Sequence, residues 1–440
     1  MTTILKRFTN IRRGEVPSAL ASTAFFFFVL TALMVLRPVR EALGMQSGLD
    51  AVRWLFVGTA VVTLAVNPVF GLLVSRFPRL YFISATYLFF AASLAGFWAV
   101  LTLAPAAIGE VSGRVFYVWF SVFNLFSTMV FWALMADRFS IEQSKRLFGM
   151  IAVGGTLGAI FGPWLATVLA APIGTANLML VAILCLLLAI GCAWLVAHLQ
   201  PERLTPAEAE DRNGPPTVDE HARIGGSAWE GFRAAARSPF LLGISGYVLI
   251  LAVVATFLYF TRLAMVAELG DDLDLRTMWF ARIELFTQVA TLVLQLIVTG
   301  HLMKRLGVPL TLALLPVTVA LGMIGLAVVG TLAALIFFEA AFRAVQRAIM
   351  RPARETLFTV VSREDKYKSK AFIDTSVYRG GDVVGAWTEG LLGRLGMGLA
   401  GLASLTVPLA VLWGVLGIWL GRAQDRRAQI ASNPTGRPLP

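Results

Sequence analysis

Long apolar runs alternate with short polar connections along the whole chain, and twelve of the runs reach the roughly 20 residues that a helix needs to cross a hydrocarbon core of about 30 Å. They predict helices over about Val16–Leu36, Ala51–Leu73, Leu80–Leu103, Val115–Leu134, Phe148–Leu169 and Ala176–Leu199. A second set follows over Pro239–Phe260, Met278–Leu302, Pro309–Val328, Thr331–Ile349, Ala371–Leu392 and Leu395–Gly421. The first helix is read as ending in RPVREALG. The expected fold class is an all-α polytopic membrane protein with twelve transmembrane helices in two six-helix halves, residues 1–199 and 239–440. Residues 200–238 form a cytoplasmic linker between them. Its first part carries Pro201, Pro206, Pro215 and Pro216 among many charges and reads as disordered. SAWEGFRAAARS at its end has an amphipathic pattern suited to a membrane surface. The apolar run behind the basic first residues is too long for a signal h-region, so no cleaved leader is expected.

Composition agrees with this reading. The 440 residues are 58% hydrophobic and only 14% charged, with a mean hydropathy of +0.76. A soluble protein carries about 25% charged residues. The net charge of +11 needs no nucleic-acid partner, because positive-inside topology explains it more simply. Arg12, Arg13, Arg76, Arg79, Arg138, Lys145, Arg146, Lys304, Arg305, the run Arg351–Lys370, Arg422, Arg426 and Arg427 fall on alternate connections that begin with the N-terminus. The opposite side holds fewer basic residues and the acidic patch Asp271, Asp272 and Asp274. Both termini are therefore expected in the cytoplasm, with the lipid bilayer of a bacterial inner membrane around the chain. Cys185 and Cys192 stand seven residues apart on one helix, about 10.5 Å of rise and too far for a disulfide. His198, His221 and His301 fall at helix ends or in loops, so neither a metal site nor a cofactor is expected. No nucleophile–base constellation appears, which argues against an enzyme, and nothing calls for more than a monomer.

Fragments of the two halves align. Gly71 matches Gly300, Gly154 matches Gly380, and Arg37 matches Arg262, at separations of 229, 226 and 225 residues. These matches pair helices one with seven, two with eight, and five with eleven. The arrangement resembles the two-half plan of the major facilitator superfamily, which implies that superfamily's fold and a solute site at the midplane.

The stretch Glu339–Trp387 is the polar exception in this apolar chain. Residues three and four apart share a helix face, so Glu339, Arg343, Gln346 and Arg347 form one stripe. An arginine at bilayer depth costs at least about 2.5–3.5 kcal/mol on insertion scales, so two on one stripe need a polar place to point. A cationic wall suits an anionic solute. Glu339 and Arg343 also fit a structural i,i+4 pair. In the next helix Asp374 and Arg379 either pair with each other or gate the inner mouth. Glu284 and Gln288 lie one turn apart in helix eight, with Glu284 either a coupling residue or a partner of Arg282 and its neighbours. Gly158–Gly162 and Gly381–Gly385 are GxxxG patterns, which more often mean close helix packing than a phosphate loop.

Three fragments resemble a narrower family, the ATP/ADP translocases of plastids and intracellular bacteria. RPVREALG is similar to the family's Arg-Asp-x-Lys-Asp stretch through Arg37, Arg40 and Glu41. FWALMADRFSIEQSKRLFG is similar through Phe131, Trp132, Glu142, Lys145 and Arg146, and SKAFID through Lys370 to Asp374. Where the family carries an acid in mid helix four, this chain reads WFSVFNLFSTM, with Phe120 and Asn124. The resemblance implies a secondary transporter of an organic anion, nucleotide- or phosphate-bearing, exchanging by alternating access. Arg37, Arg40, Arg343, Arg347, Gln346, Asn124, Lys370 and Arg379 are the expected substrate-binding residues. Glu41, Glu284, Glu339 and Asp374 are the expected coupling or gating residues. The alternative is a proton-driven carrier of another solute, in which Glu41, Glu284 or Glu339 titrates. A non-transporting membrane protein is a third reading, and the repeated halves argue against it.

Overall fold

The computed structural model describes residues 12–74, 79–104, 106–199, 232–233, 236–362, 365, 369–370 and 372–432, and all regular structure among them is helical. Helices α1 (Val16–Met45), α2 (Leu49–Val74), α3 (Arg79–Leu103), α4 (Ala106–Arg138), α5 (Ile141–Ile173) and α6 (Leu178–Leu199) come first. Then follow α7 (Pro239–Ala267), α8 (Leu273–Ile297) and α9 (Arg305–Val329), with Gly307 at φ 68° breaking the helical course near the start of α9. Next, α10 (Leu332–Val345) runs on through a π turn, Gln346–Met350, into Arg351–Leu357. Finally, α11 (Tyr378–Arg394) is preceded by a second π turn, Ile373–Val377, and α12 (Leu399–Ser432) closes the series. Nine helices among the described residues are long and apolar enough to cross a membrane by length and composition. The all-α polytopic fold read from hydropathy is the fold observed. Most of the expected linker, residues 200–231, lies outside the described residues.

One boundary differs in a way that matters. The first helix does not end at Leu36 but continues through Pro38 to Met45, 30 residues and about 45 Å. Pro38 removes one backbone donor, yet its fixed φ is compatible with a helix. Val35, Leu36, Val39, Ala42 and Leu43 are all fully buried, so the packed face runs straight across the proline. Continued burial outweighs the missing hydrogen bond. Arg37, Arg40 and Glu41 therefore sit within a helix rather than beyond its end.

The chain divides into two compact units. The first comprises Met1–Glu220 with Ala267–Leu285, so the opening turns of α8 belong to it. Within this unit α1 packs on α4, α5 and α6, while α3 packs on α4 and α6. The α1–α5 seam is built on glycines. A Cβ on Gly154 would fall onto the Thr23 carbonyl, one on Gly158 onto the Phe27 carbonyl, and one on Gly155 onto the Phe26 ring. Bare backbone at these positions is what allows the close approach. The start of α5 is capped reciprocally, Ser140 Oγ accepting from Gln143 N at 3.2 Å and Gln143 Oε1 from Ser140 N at 3.0 Å. Asp274, read from sequence as part of a surface acidic patch, instead accepts from Thr175 N at 2.6 Å, and Thr175 Oγ1 lies 2.9 Å from Thr277 Oγ1. These bonds tie the start of α8 to the α5–α6 connection.

The second unit comprises His221–Val266 with Phe286–Pro440. Tyr247 and Trp413 are fully buried at its centre, 5.2 Å apart, and the Tyr247 hydroxyl donates to the Leu312 carbonyl at 2.8 Å. Here α11 meets α7 as α5 meets α1. A Cβ on Gly381 would stand 2.6 Å from Ala252 Cβ, and one on Gly385 2.9 Å from Thr256 Cβ. Gly155 and Gly381 are 226 residues apart, and so are Phe26 and Ala252, the residues they meet. The same helix-on-glycine contact is thus repeated within each unit.

Candidate functional site

In the first unit the charged residues of α1 find separate partners. Arg37 Nη1 lies 3.2 Å from Glu284 Oε1 of α8, and the Glu284 side chain is only 3% exposed. Glu284 is therefore the partner of Arg37. Arg282, the partner considered for it from sequence, lies over the Trp279 ring instead, at 5.0 Å. Arg40 Nη1 lies 3.8 Å from Glu41 Oε1, and its guanidinium sits over the rings of Tyr117, at 4.0 Å, and Phe120, at 5.6 Å. A guanidinium over an aromatic face gains about 0.5–2 kcal/mol. Trp119, in the same helix, stacks on Phe116 and Phe123 with interplanar angles of 22° and 15°. Asn124 is exposed on α4, and its backbone carbonyl accepts from Thr128 Oγ1 at 3.3 Å.

In the second unit the centre is Glu339, 1% exposed on α10. Its Oε1 accepts from Arg262 Nη1 of α7 at 2.8 Å and pairs with Arg343 Nη2 one turn on. Arg262 is itself 3% exposed, and its guanidinium lies 5.0 Å from the Tyr259 ring centroid. Two guanidinium groups converge on one buried carboxylate oxygen. The i,i+4 pairing of Glu339 with Arg343 was legible from spacing. Arg262, 77 residues away, was not, although its repeat match to Arg37 was the signal that marked it.

Of the expected four-residue stripe, Gln346 and Arg347 fall at the start of the π turn. Gln346 is half-buried at its start, and Arg347 Nη1 donates to Gln288 Oε1 of α8 at 3.1 Å. Asp374 and Arg379 do not pair with each other. Asp374 Oδ1 takes Arg354 Nη2 at 3.0 Å, and Arg379 Nη1 takes Asp382 Oδ2 at 3.3 Å. Each meets a nearer partner instead. Lys370 pairs with Glu355, and its Nζ lies 5.8 Å from the Phe358 ring centroid. Gln424 of α12 donates to the Thr356 carbonyl at 2.9 Å beside this cluster.

The arrangement is one of fixed cations held by polar partners inside apolar helices, and it offers recognition rather than bond chemistry. The sequence pattern of the Major Facilitator Superfamily matches residues 18–352. The chain belongs to that superfamily. A bacterial homologue of the human lysosomal transporter Spinster, crystallised inward-facing and unoccupied, aligns with 98% of this chain and 100% of its own at TM-score 0.59 and 14% identity. A variant of the nucleoside transporter NupG aligns over 93% of this chain and 99% of its own at TM-score 0.59 and 10% identity. Identities this low carry the fold alone. No curated protein sequence matches the chain. As a major facilitator protein, the chain is an integral membrane transporter of a small solute rather than an enzyme.

Proposed function

We propose that this transporter is a secondary active carrier of an organic anion, phosphate-bearing and most closely a nucleotide, working by alternating access. The convergence of Arg262 and Arg343 on Glu339 carries the reading. The α7 span holds Arg262 as its single charged residue, and the α10 run up to Met350 holds Arg343 and Arg347 against one acid, Glu339. Positive charge kept at that depth is expensive, and recognition of a negative solute is a use that offsets the cost. Arginine suits phosphate because its planar fork donates two parallel hydrogen bonds. Arg37, Arg40 and Glu41, similar to the ATP/ADP translocase stretch at the end of that family's first helix, support a nucleotide as the anion. The place of Arg40 over the Tyr117 ring fits the same role. In this reading Arg37, Arg40, Arg343, Arg347, Gln346, Asn124, Lys370 and Arg379 bind substrate, and Glu41, Glu284, Glu339 and Asp374 couple or gate. The two six-helix halves flank a cytoplasmic linker, both termini face the cytoplasm of a bacterial inner membrane, and the unit of function is the monomer.

Uptake of labelled ADP and ATP into proteoliposomes, preloaded with unlabelled nucleotide or empty, tests the proposal. Exchange that requires internal nucleotide is the expected result. Flux of a neutral solute driven by a pH gradient, with no anion flux, would overturn it in favour of the proton-driven reading.

A further inference from the structure

We infer that Arg262 is a positioning residue of the anion site: it balances the charge of Glu339 without touching the solute, and so leaves the charge of Arg343 to the solute. The inference rests on the anion-carrier reading above and gives the most buried arginine of that reading a task of its own.

Glu339 Oε1 is a shared atom. Arg262 Nη1 of α7 donates to it at 2.8 Å, and Arg343 Nη2 meets the same oxygen from one turn along α10. Two positive charges against one negative charge leave one positive charge over. The two arginines differ in access: the Arg262 side chain is 3% exposed and that of Arg343 12%. On α7 the neighbours Phe260, Thr261 and Leu263 are buried too, and the Tyr259 ring centroid lies 5.0 Å from the Arg262 guanidinium. The surplus charge is therefore presented by Arg343.

Charges at this depth act strongly on one another, because little water screens them. Glu339 and Arg343 stand in i,i+4 register and pair by default. With Arg343 as its sole cation, Glu339 would close into a neutral buried pair, and an anionic group would have to break that pair in order to bind. Arg262 relieves this competition. It attracts the same oxygen from a different helix and weakens the hold of Glu339 on Arg343. Arg347 is met differently: its Nη1 donates to the neutral amide of Gln288 at 3.1 Å, a contact that orients the fork without cancelling its charge.

Equilibrium binding of labelled ADP and of labelled sulfate to the full-length protein in lipid nanodiscs, at constant ionic strength, tests the inference. Arg262→Gln is expected to weaken anion binding by about tenfold, as Glu339 draws Arg343 to itself. Adding Glu339→Gln to that variant is expected to restore affinity to within about threefold of wild type, because the two changes are coupled through one contact. Arg262→Lys keeps the charge and is expected to bind within the same margin, whereas a residue that grips phosphate through its planar fork would suffer from lysine. Arg262→Gln binding like wild type, or a loss that Glu339→Gln does not repair, overturns the inference and leaves the anion-carrier reading standing. Failure of the wild-type protein to bind either anion overturns both. Should Arg262→Gln not fold, a tenfold loss in the folded Arg262→Lys protein or in the folded double variant overturns the inference equally.

Discussion

Glu15 and Arg146, 131 residues apart in sequence, form a bidentate pair in the first unit: Arg146 donates to both Glu15 oxygens, at 3.0 and 2.9 Å. Arg12 N, at 3.1 Å, and Gln143 Nε2, at 3.3 Å, donate to the same carboxylate. The pair clasps the start of α1 to the start of α5, the two helices that share the glycine seam.

The Arg146 hydrogen bond, against an opposing effect of burial, lowers the Glu15 carboxyl from its ordinary 4.5 to about 2. A depressed folded-state value contributes stability above the unfolded value, and that stability is lost as pH falls toward the folded one. Arg146→Gln should therefore lower stability by about 1.5–3 kcal/mol near neutral pH, the worth of charge-assisted hydrogen bonds. The gap between variant and wild type should narrow below pH 4.5 and close toward pH 2. Thermal unfolding in detergent across this range measures it, and a gap that does not narrow in acid would discredit the assignment.

The glycine seam makes a contrasting pair of expectations. Gly154→Ala and Gly158→Ala place a methyl on a backbone carbonyl of α1, which yields only if the helices part. Each should cost about 1–3 kcal/mol by overpacking. Gly191→Ala in α6, where a Cβ meets nothing within 4 Å, should be neutral or stabilise by up to about 1 kcal/mol through helix propensity. Melting midpoints of the three purified variants compare them directly.

Arg37 and Glu284 supply a double-mutant cycle. Arg37→Gln and Glu284→Gln should each destabilise, and the double variant should be less damaged than the sum by about 1–3 kcal/mol, because they meet at 3.2 Å. Additive effects would show that the contact contributes nothing.

Arg343→Gln and Arg347→Gln should weaken anion affinity roughly ten- to a hundredfold, at about 1.4 kcal/mol per decade, while membrane insertion is unchanged. Arg40→Gln should act on the same anion. Lysine at these positions should restore binding only in part, since an ammonium cannot supply the planar fork. Normal binding of labelled ADP by the glutamine variants would remove these residues from the site.

Hydropathy made the helical, membrane-spanning character of this chain legible, because apolar length is a property each segment carries by itself. The end of α1 was not legible. Pro38 between two arginines reads as a stop, and only the buried face through Val39 and Leu43 shows that packing continues. Glu339 and Arg343 were legible as a pair because their partnership is local. Arg262 at Oε1 and Gln288 at Arg347 were not, since α10 meets α7 and α8 through contacts that no spacing rule encodes. Spacing left Asp374 and Arg379 either to pair with each other or to gate the inner mouth, and their observed partners, Arg354 and Asp382, were not legible from it.

The π turn at Gln346–Met350 has one further consequence. A π turn holds one residue more than the α turn it replaces, so it works as a loop hidden inside a helix. Loss of a single codon there would straighten the helix and leave the side chains on either side aimed as before. The same loss between Glu339 and Arg343 would swing everything downstream through about 100° and scatter the cluster. This helix therefore has one joint at which its gene can shorten without cost to aim.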